Sequence, residues 1–215
     1  VAKDAELVKL MKKAGCQIVF IGFESVNPQS LKAMKKGQTV AEIARAVKVL
    51  RRRRIRIHGM FVFGFDEDDW RTVRRTVRFA KKARLTSSQF MILTPLPGSD
   101  FYSKICEQQR IRFHDWNLYD AHHVVFEPTK LAPLDLQRAQ IYSHKKFYSL
   151  ATSLRKLINF KWVDLAIAHY ARKLNRHWLK VNRTYLTVLS LLRPKRKFQH
   201  VVVDYREEAN LDQVS

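Results

Sequence analysis

The sequence predicts an α/β protein made of parallel βα units followed by an α-helical C-terminal extension. In the first half, short apolar runs rich in β-forming residues alternate with longer segments of helical periodicity, which is typical of a parallel sheet covered by helices. In the second half, residues 136–160 and 162–192 have helical periodicity, and no glycine occurs between Pro133 and His200. The length of 215 residues allows one large domain or a domain with an extension.

Three apolar runs are the predicted strands, and each ends in a polar or glycine-containing turn. The runs cover residues 17–23, 55–63 and 88–93. Glu24 and Ser25 follow the first run, Gly64 and an acidic turn follow the second, and a TPLPGS loop follows the third. Because the carboxyl ends of parallel strands lie at one edge of a sheet, we expect functional groups to collect there.

Two sequence patterns mark the starts of helices. Thr39 and Glu42 have the spacing of a capping box, in which each side chain accepts a hydrogen bond from the other residue's amide. Four carboxylates at 66–69 suit the positive end of the dipole of the helix that follows them. A cation bound through these oxygen ligands is the alternative interpretation.

The charge of the chain is strongly positive. The 41 Lys and Arg against 19 Asp and Glu give a formal net charge of +22, and the 46% hydrophobic content argues against a disordered basic tail. Such a charge favours polyanions, either nucleic acid or anionic lipid. No apolar run approaches the roughly 20 residues that span a bilayer, so no transmembrane segment is predicted.

The two cysteines bear on compartment and chemistry. Cys16 and Cys106 cannot form a disulfide framework or a CxxC-type site, and they make a reducing cytoplasm the expected location. Cys106 is expected to be a small buried apolar residue. The chain starts at Val1, without an initiator Met or a signal peptide, inside a predicted charged helix, and we expect it to be a fragment of a longer protein.

Four segments together resemble the radical S-adenosylmethionine (SAM) enzymes, in particular the cobalamin-binding radical SAM proteins. The segments are IGFESVNPQSLKAMKKGQT (21–39), HGMFVFGFDEDD (58–69), FMILTPLPGS (90–99) and DWNLYDAHHVVFEP (115–128). The resemblance rests on their order and spacing together. It implies the C-terminal half of a radical SAM partial TIM barrel, in an enzyme that cleaves SAM reductively at a 4Fe-4S cluster to modify its substrate. It also allows cobalamin-dependent methylation if an upstream cobalamin domain exists.

The same resemblance implies which residues contact SAM at the strand ends. Carried over residue by residue, these are Glu24, Ser25, Gly64, Phe65, Met91 and Leu93. Glu24 and Ser25 would offer polar groups to the ribose or methionyl part, and the other four would lie along the adenine. For Glu24, the alternative is a carboxylate that caps the turn at 27–30. For His58 the resemblance allows a position on the substrate side, and a satisfied core histidine is the alternative.

The cluster ligands of this family are absent from the sequence. A 4Fe-4S cluster that binds SAM is held by three cysteines, normally in a CxxxCxxC motif, and no such motif occurs here. No catalytic residue and no metal ligand is therefore predicted within the chain, and a metal role for the pair His122-His123 is a minor alternative. We expect the cluster ligands and any cobalamin domain to lie outside this chain, which alone would be inactive. In relatives a small residue and a glycine end the helix where Arg53 and Arg54 stand, so Arg54 must avoid or adopt a left-handed cap.

Charge and composition also suggest domain limits. We predict the barrel half at 1–110, a connecting segment at 111–132, a basic helical extension at 133–200 and a tail at 201–215. The extension holds fifteen Lys and Arg against two Asp.

Three interpretations of the extension stay open. It is either a helical hairpin with a solvated basic face, a contact for anionic lipid at a membrane surface, or a contact for RNA. A non-catalytic basic α/β protein that binds RNA or anionic lipid is the alternative to the enzyme.

Overall fold

The structure is a computed structural model that describes residues 4–34, 37 and 39–192. Its strands are β1 (Ile18–Glu24), β2 (Arg56–Phe63) and β3 (Ser87–Ile92). Its helices are α1 (Ala5–Lys13), α2 (Pro28–Ala33), α3 (Val40–Arg52), α4 (Trp70–Lys82), α5 (Asp100–Glu107), α6 (Pro133–Phe147), α7 (Leu150–Ile158), α8 (Trp162–Val181) and α9 (Arg183–Leu191). The predicted α/β class, with parallel strands and a helical extension, is confirmed.

The strands form one parallel sheet in the order β1-β2-β3. Along β2 every second residue is buried, because one face of the sheet is covered by α3 and α4 and the other face is more open. Each strand lies within one residue of its predicted position. The two connections between strands each contain a helix, as a parallel sheet requires.

The covered face of the sheet is packed with phenylalanine rings. Phe61 at the centre stacks on Phe90 with ring centroids 5.6 Å apart and lies 5.5 Å from Phe23. A Cβ on Gly59 would come within 2.6 Å of Leu85 Cδ1, so the rings leave no room for a side chain there. This packing places the core between the sheet and its helices.

The helix ends follow the predicted local signals. The capping box of Thr39 and Glu42 is present at the start of α3. Asn27 caps α2, because its side-chain oxygen accepts from the amide of Gln29 at 3.1 Å. Arg54, after α3, adopts the left-handed conformation with φ of 55°. The tertiary contacts therefore outweigh a cost of about 1 kcal/mol for a non-glycine residue in that conformation.

The extension contains four helices where the periodicity predicted two segments. The predicted segment 136–160 is broken after Phe147, where Ser149 caps α7, and its predicted end agrees with Phe160, whose φ is 53°. A further break falls at Asn182, whose side chain donates to Trp178 O at 3.0 Å. Periodicity does not detect such breaks because the apolar spacing continues across them. Residues 193–200 of the predicted extension and the predicted tail lie outside the described residues, and the domain limits stay predictions.

Helix α6 closes the outer edge of β3 with side chains. Tyr148 Oη donates to Ser88 O at 2.8 Å and accepts from Ser88 N at 2.9 Å. Gln140 Nε2 donates to Phe90 O at 3.2 Å, and His144 Nε2 lies 3.1 Å from the same oxygen. Gln140, His144 and Tyr148 recur at every fourth position and so lie on one face of the helix. Their spacing matches that of the main-chain groups of Ser88 and Phe90, which are alternate residues of β3.

Among the described residues, none of the helices combines the length and the apolar character needed to cross a bilayer.

Candidate functional site

The end of β1 is distorted at the predicted site. The pairing with β2 shifts between Gly22 and Glu24, and Glu24 adopts a φ of 59°. A bulge with a left-handed residue changes the direction of a side chain, and such strain is concentrated at functional sites. Ser25 is 2% exposed, and its Oγ accepts from the amide of Asn27 at 3.0 Å. The bulge thus directs the half-buried Glu24, whereas Ser25 belongs to the turn that leads to α2.

The end of β2 is organised by a buried carboxylate. Asp68 is 1% exposed, and its Oδ2 accepts from the amides of Gly64 at 3.1 Å and Phe65 at 3.2 Å. Its Oδ1 accepts from Ser30 Oγ at 2.9 Å, which ties this turn to α2. Burial raises the pKa of Asp68 to about 6 although the three hydrogen bonds oppose it. Asp68 therefore holds together the turns after β1 and β2.

Gly64 is required by packing within the protein. Its φ of 113° favours glycine, and a Cβ there would lie 3.1 Å from Leu136 Cδ2 and 3.3 Å from Phe126 Cζ. The amides of Gly64 and Phe65 already donate to Asp68. Any ligand that approaches this turn would therefore meet its carbonyl oxygens and the half-buried Phe65 side chain.

The other acidic residues of 66–69 have separate partners. Asp69 caps α4 by accepting from Thr72 N at 2.8 Å, and Glu67 pairs with Lys130. Asp66 accepts from the buried Arg110 at 3.0 Å. Burial opposes ionisation of Asp66, but hydrogen bonds from Thr129, Lys104 and Arg110 lower its pKa to about 2.

This arrangement corrects the dipole interpretation of the acidic run, which holds for Asp69 alone. Within the described ranges no three His, Cys, Asp or Glu side chains are placed to hold a metal ion.

The end of β3 continues the same edge of the sheet. Met91 is half-buried and pairs with Val62, while Leu93 lies one residue beyond the strand. Leu93 N donates to Phe63 O at 2.8 Å, so the pairing extends to this residue. Glu24 pairs with Phe61 on the other side of β2. The six predicted SAM-contact positions therefore lie at the carboxyl ends of three adjacent parallel strands.

His58 lies away from that edge. It is the third residue of β2, and the five residues to Phe63 correspond to about 16 Å along a strand. Its Nδ1 is 2.8 Å from Ser87 Oγ, and its ring centroid is 4.8 Å from that of Phe20. Burial lowers the pKa of His58. The Nδ1 atom and the ring of His58 thus have partners within the protein, and a role on the substrate side stays a prediction.

The remaining histidine and cysteine expectations have clear outcomes. His123 Nδ1 lies 2.9 Å from Asp120 Oδ1 and its Nε2 lies 2.8 Å from Asn182 Oδ1, so both ring nitrogens have protein partners. The prediction that Cys106 is buried is wrong: Cys106 is exposed, because α5 turns Ile105 inward instead. Cys16 is partly buried, with its Sγ 3.7 Å from Ile18 O.

Sequence reasoning missed Asp68 and Arg110 as organisers of this edge. Asp68 is one member of an acidic run in the sequence, and its position four residues after Gly64 is the signal that distinguishes it. Arg110 is 4% exposed and donates through Nε to Glu127 O at 2.6 Å, as well as to Asp66. Nothing in the local sequence distinguishes it from the many surface arginines.

Comparisons with known proteins relate the chain to a family. Residues 2–97 match the model of the Radical SAM superfamily. The chain is 33% identical over 175 residues to bacteriochlorophyllide d C-12(1)-methyltransferase of Chlorobaculum tepidum, covering 79% of this chain and 38% of that protein. It is 25% identical over 162 residues to anaerobic magnesium-protoporphyrin IX monomethyl ester cyclase of Cereibacter sphaeroides, covering 75% and 26% respectively.

A solved structure is also similar. It is the radical S-adenosylmethionine methyltransferase TsrM from Kitasatospora setae with cobalamin and a [4Fe-4S] cluster bound, at 26% identity and a TM-score of 0.46 over 63% of this chain and 28% of that one. The chain thus spans well under half the length of these proteins. The match to the Radical SAM superfamily therefore takes in α1 and all three strands of the sheet.

Proposed function

We propose that this chain supplies part of the SAM-binding half of a radical SAM enzyme. The observation that carries the proposal is the convergence of the six predicted positions on one edge of a parallel sheet, within the residues that match the family. Ligands of open parallel α/β sheets bind at the carboxyl ends of the strands. The bulged end of β1, with its carboxylate, fits a ligand that carries hydroxyl and ammonium groups.

Each position has a distinct task in this proposal. The Glu24 carboxylate accepts from the ribose hydroxyls or the methionyl ammonium, which are charge-assisted hydrogen bonds. Ser25 holds the turn that orients Glu24, and the turn at Gly64 and Phe65 borders the adenine together with Met91 and Leu93. Asp68 keeps both turns in place from the protein side. When bound, SAM and a cluster supply the radical chemistry, and the protein orients the cofactor and excludes water.

The residues of this chain do not fit a 4Fe-4S cluster. Such a cluster needs three thiolates, and the sequence has two cysteines, Cys16 and Cys106, at positions 90 residues apart. We therefore place the cluster ligands outside this chain, which spans 38% of its methyltransferase relative. The chain alone is expected neither to bind the cluster nor to turn over.

The reaction of the whole protein is proposed from its relatives. A methyltransferase at 33% identity favours methylation, and the resemblance to cobalamin-binding members makes cobalamin the proposed methyl carrier, bound outside this chain. The substrate is not proposed beyond this. A reducing cytoplasm, which suits an iron–sulfur enzyme, stays the predicted location.

The SAM proposal is tested by a substitution at Glu24. In the whole protein with its cluster reconstituted under anaerobic conditions, Glu24→Gln should weaken SAM binding about tenfold or more, because a hydrogen bond to a charged group is lost. Equilibrium dialysis with labelled SAM measures this. Glu107→Gln, an exposed glutamate on α5, is the matched control and should bind normally. Unchanged SAM affinity of the Glu24 variant would remove this residue from the site.

A further inference from the structure

Helix α7 is amphipathic, but its apolar face is on the outside. Leu150, Leu154 and Ile158 are 75%, 57% and 67% exposed. They recur at intervals of four residues and so form one stripe along the helix. The residues that α7 buries are Thr152, Ser153 and Lys156. A surface helix of a globular protein normally shows the reverse arrangement.

The polar side of α7 is held inward by specific bonds. Lys156 Nζ donates to Thr86 O at 3.1 Å and to Asp164 O at 3.3 Å. Arg172 of α8 donates to Ser153 Oγ and, at 3.2 Å, to Tyr148 O. These bonds fix the rotation of the helix, so its leucines cannot turn inward without leaving buried polar groups unpaired.

The apolar stripe continues into the start of α8. Phe160 and Trp162 are 77% and 60% exposed, and their rings lie 6.3 Å apart. We call the following residues the apolar ridge: Leu150, Leu154, Leu157, Ile158, Phe160 and Trp162. Contiguous exposed apolar residues of this size mark an interaction surface.

A cationic pocket meets the ridge at Lys161, which lies between Phe160 and Trp162. It encloses about 90 Å³ and is lined by Lys81, Arg84, Arg155, Lys156 and Lys161, with Asp164 as its one carboxylate. Burial, and then the charges of Lys146 and Arg155, lower the pKa of Lys81. Among the described residues, Lys81, Arg84, Arg155 and Lys161 have no carboxylate partner in an ion pair. The pocket is therefore a concentration of positive charge with room for a phosphate-sized anion.

We propose that the apolar ridge and the cationic pocket together bind the surface of an anionic lipid bilayer. The aliphatic and aromatic side chains enter the boundary between headgroups and acyl chains, and the exposed Arg155 and Lys161, at the rim of the pocket, contact lipid phosphates. Charge complementarity argues for this occupant. RNA would account for the cations, but it offers nothing to exposed leucine and isoleucine side chains.

The position of this surface leaves the candidate SAM site accessible. Arg84 and Thr86 precede β3, so the pocket lies at the amino ends of the strands, whereas the SAM positions lie at their carboxyl ends. A bilayer bound at the pocket would face the end of the sheet opposite to the cofactor.

Vesicle flotation with the full 215-residue chain tests the proposal. The chain should float with vesicles of phosphatidylcholine containing about 30% phosphatidylglycerol and not with phosphatidylcholine alone, and less at about 200 mM than at about 50 mM salt. Trp162 emission should shift to shorter wavelength on binding, and Trp162→Phe should remove most of that shift. Absence of flotation with anionic vesicles would overturn the proposal.

Two pairs of double variants separate the apolar from the electrostatic part. Leu154→Gln with Ile158→Gln should weaken vesicle binding about tenfold, whereas Leu7→Gln with Leu10→Gln, at exposed positions on α1, should not. The ridge side chains are exposed, so circular dichroism should show an unchanged fold.

The double variant Arg155→Glu with Lys161→Glu should also weaken vesicle binding about tenfold or more. The matched control is Arg71→Glu with Arg75→Glu, at exposed positions on α4. It changes the net charge of the chain by the same amount and should have a smaller effect on vesicle binding.

Other occupants predict other results. The bilayer proposal is wrong if the ridge variant floats with vesicles like the wild type. It is also wrong if the wild type binds an RNA oligonucleotide more tightly than vesicles and the ridge variant still binds that RNA. A third contrary result is a wild-type dimer in sedimentation that the ridge substitutions convert to a monomer.

Discussion

The two outer edges of the sheet differ in what covers their edge strands. At β3, Gln140, His144 and Tyr148 from the α6 side bond to the main chain of Ser88 and Phe90. At β1, the described strands provide pairing on one side only, from β2, and Phe20 in the middle of the strand is 67% exposed. An edge covered by bonded side chains cannot accept a further strand, whereas an exposed one can. Growth of the sheet is therefore possible at β1 and blocked at β3.

This difference agrees with the proposed function. The relatives are much longer than this chain, and a barrel that continued from β1 would keep all strand ends on the same edge as Glu24. It would also cover Phe20. The comparison of the two edges can be tested by changing the closing groups at β3 and the exposed residue at β1.

The largest effect on the free energy of unfolding is expected from protonation of His144, one of the residues that cover the edge of β3. Burial lowers the pKa of His144 to about 4 from an ordinary 6.5, so the folded state favours the neutral imidazole. Its contribution to stability is present above pH 6.5 and is lost as the pH falls toward 4, by about 3 kcal/mol at most. Urea unfolding of wild type and His144→Phe across this range measures it, and the two stabilities should converge at low pH. A constant difference between them would contradict the assignment.

A smaller loss is expected when one hydroxyl is removed from the same edge. Tyr148→Phe leaves the buried amide and carbonyl of Ser88 without their partner and should lower the free energy of unfolding by about 1–3 kcal/mol. Tyr170 is 61% exposed, so Tyr170→Phe is the matched control, with an effect below about 0.5 kcal/mol. Equal effects of the two substitutions in urea unfolding would mean that β3 is not closed in this way.

The smallest effect is expected at the open edge. Phe20→Ser should change the free energy of unfolding of this chain by less than about 0.5 kcal/mol, apart from the loss of its contact with the His58 ring. In the whole protein the same substitution should cost more, about 2–4 kcal/mol, if a further strand buries Phe20. Urea unfolding of both forms tests this. Equal small effects in both would show that nothing covers the β1 edge.

The candidate site illustrates how far local patterns lead. Glu24 and Gly64 follow apolar runs and Leu93 ends one, so their position at one edge follows from the alternation of strands and helices alone. The bond between Asp68 and Ser30 could not be predicted, because the two residues are 38 apart in sequence and only the folded chain brings them together. The packing reason for Gly64 likewise depends on Leu136, which belongs to the extension.

The helical extension marks the boundary between what sequence and tertiary structure determine. The sequence by itself determined that residues 150–158 form a helix with an apolar stripe, because the 3.6-residue period depends only on spacing. It did not determine which way the stripe faces, and a solvated basic face, a lipid contact and an RNA contact all stayed open. The tertiary structure decided that the stripe faces outward. Lys156 donates to Thr86 O, just before β3, and to Asp164 O of α8, and Ser153 accepts from Arg172 of α8. Satisfying these polar groups turns the leucines outward.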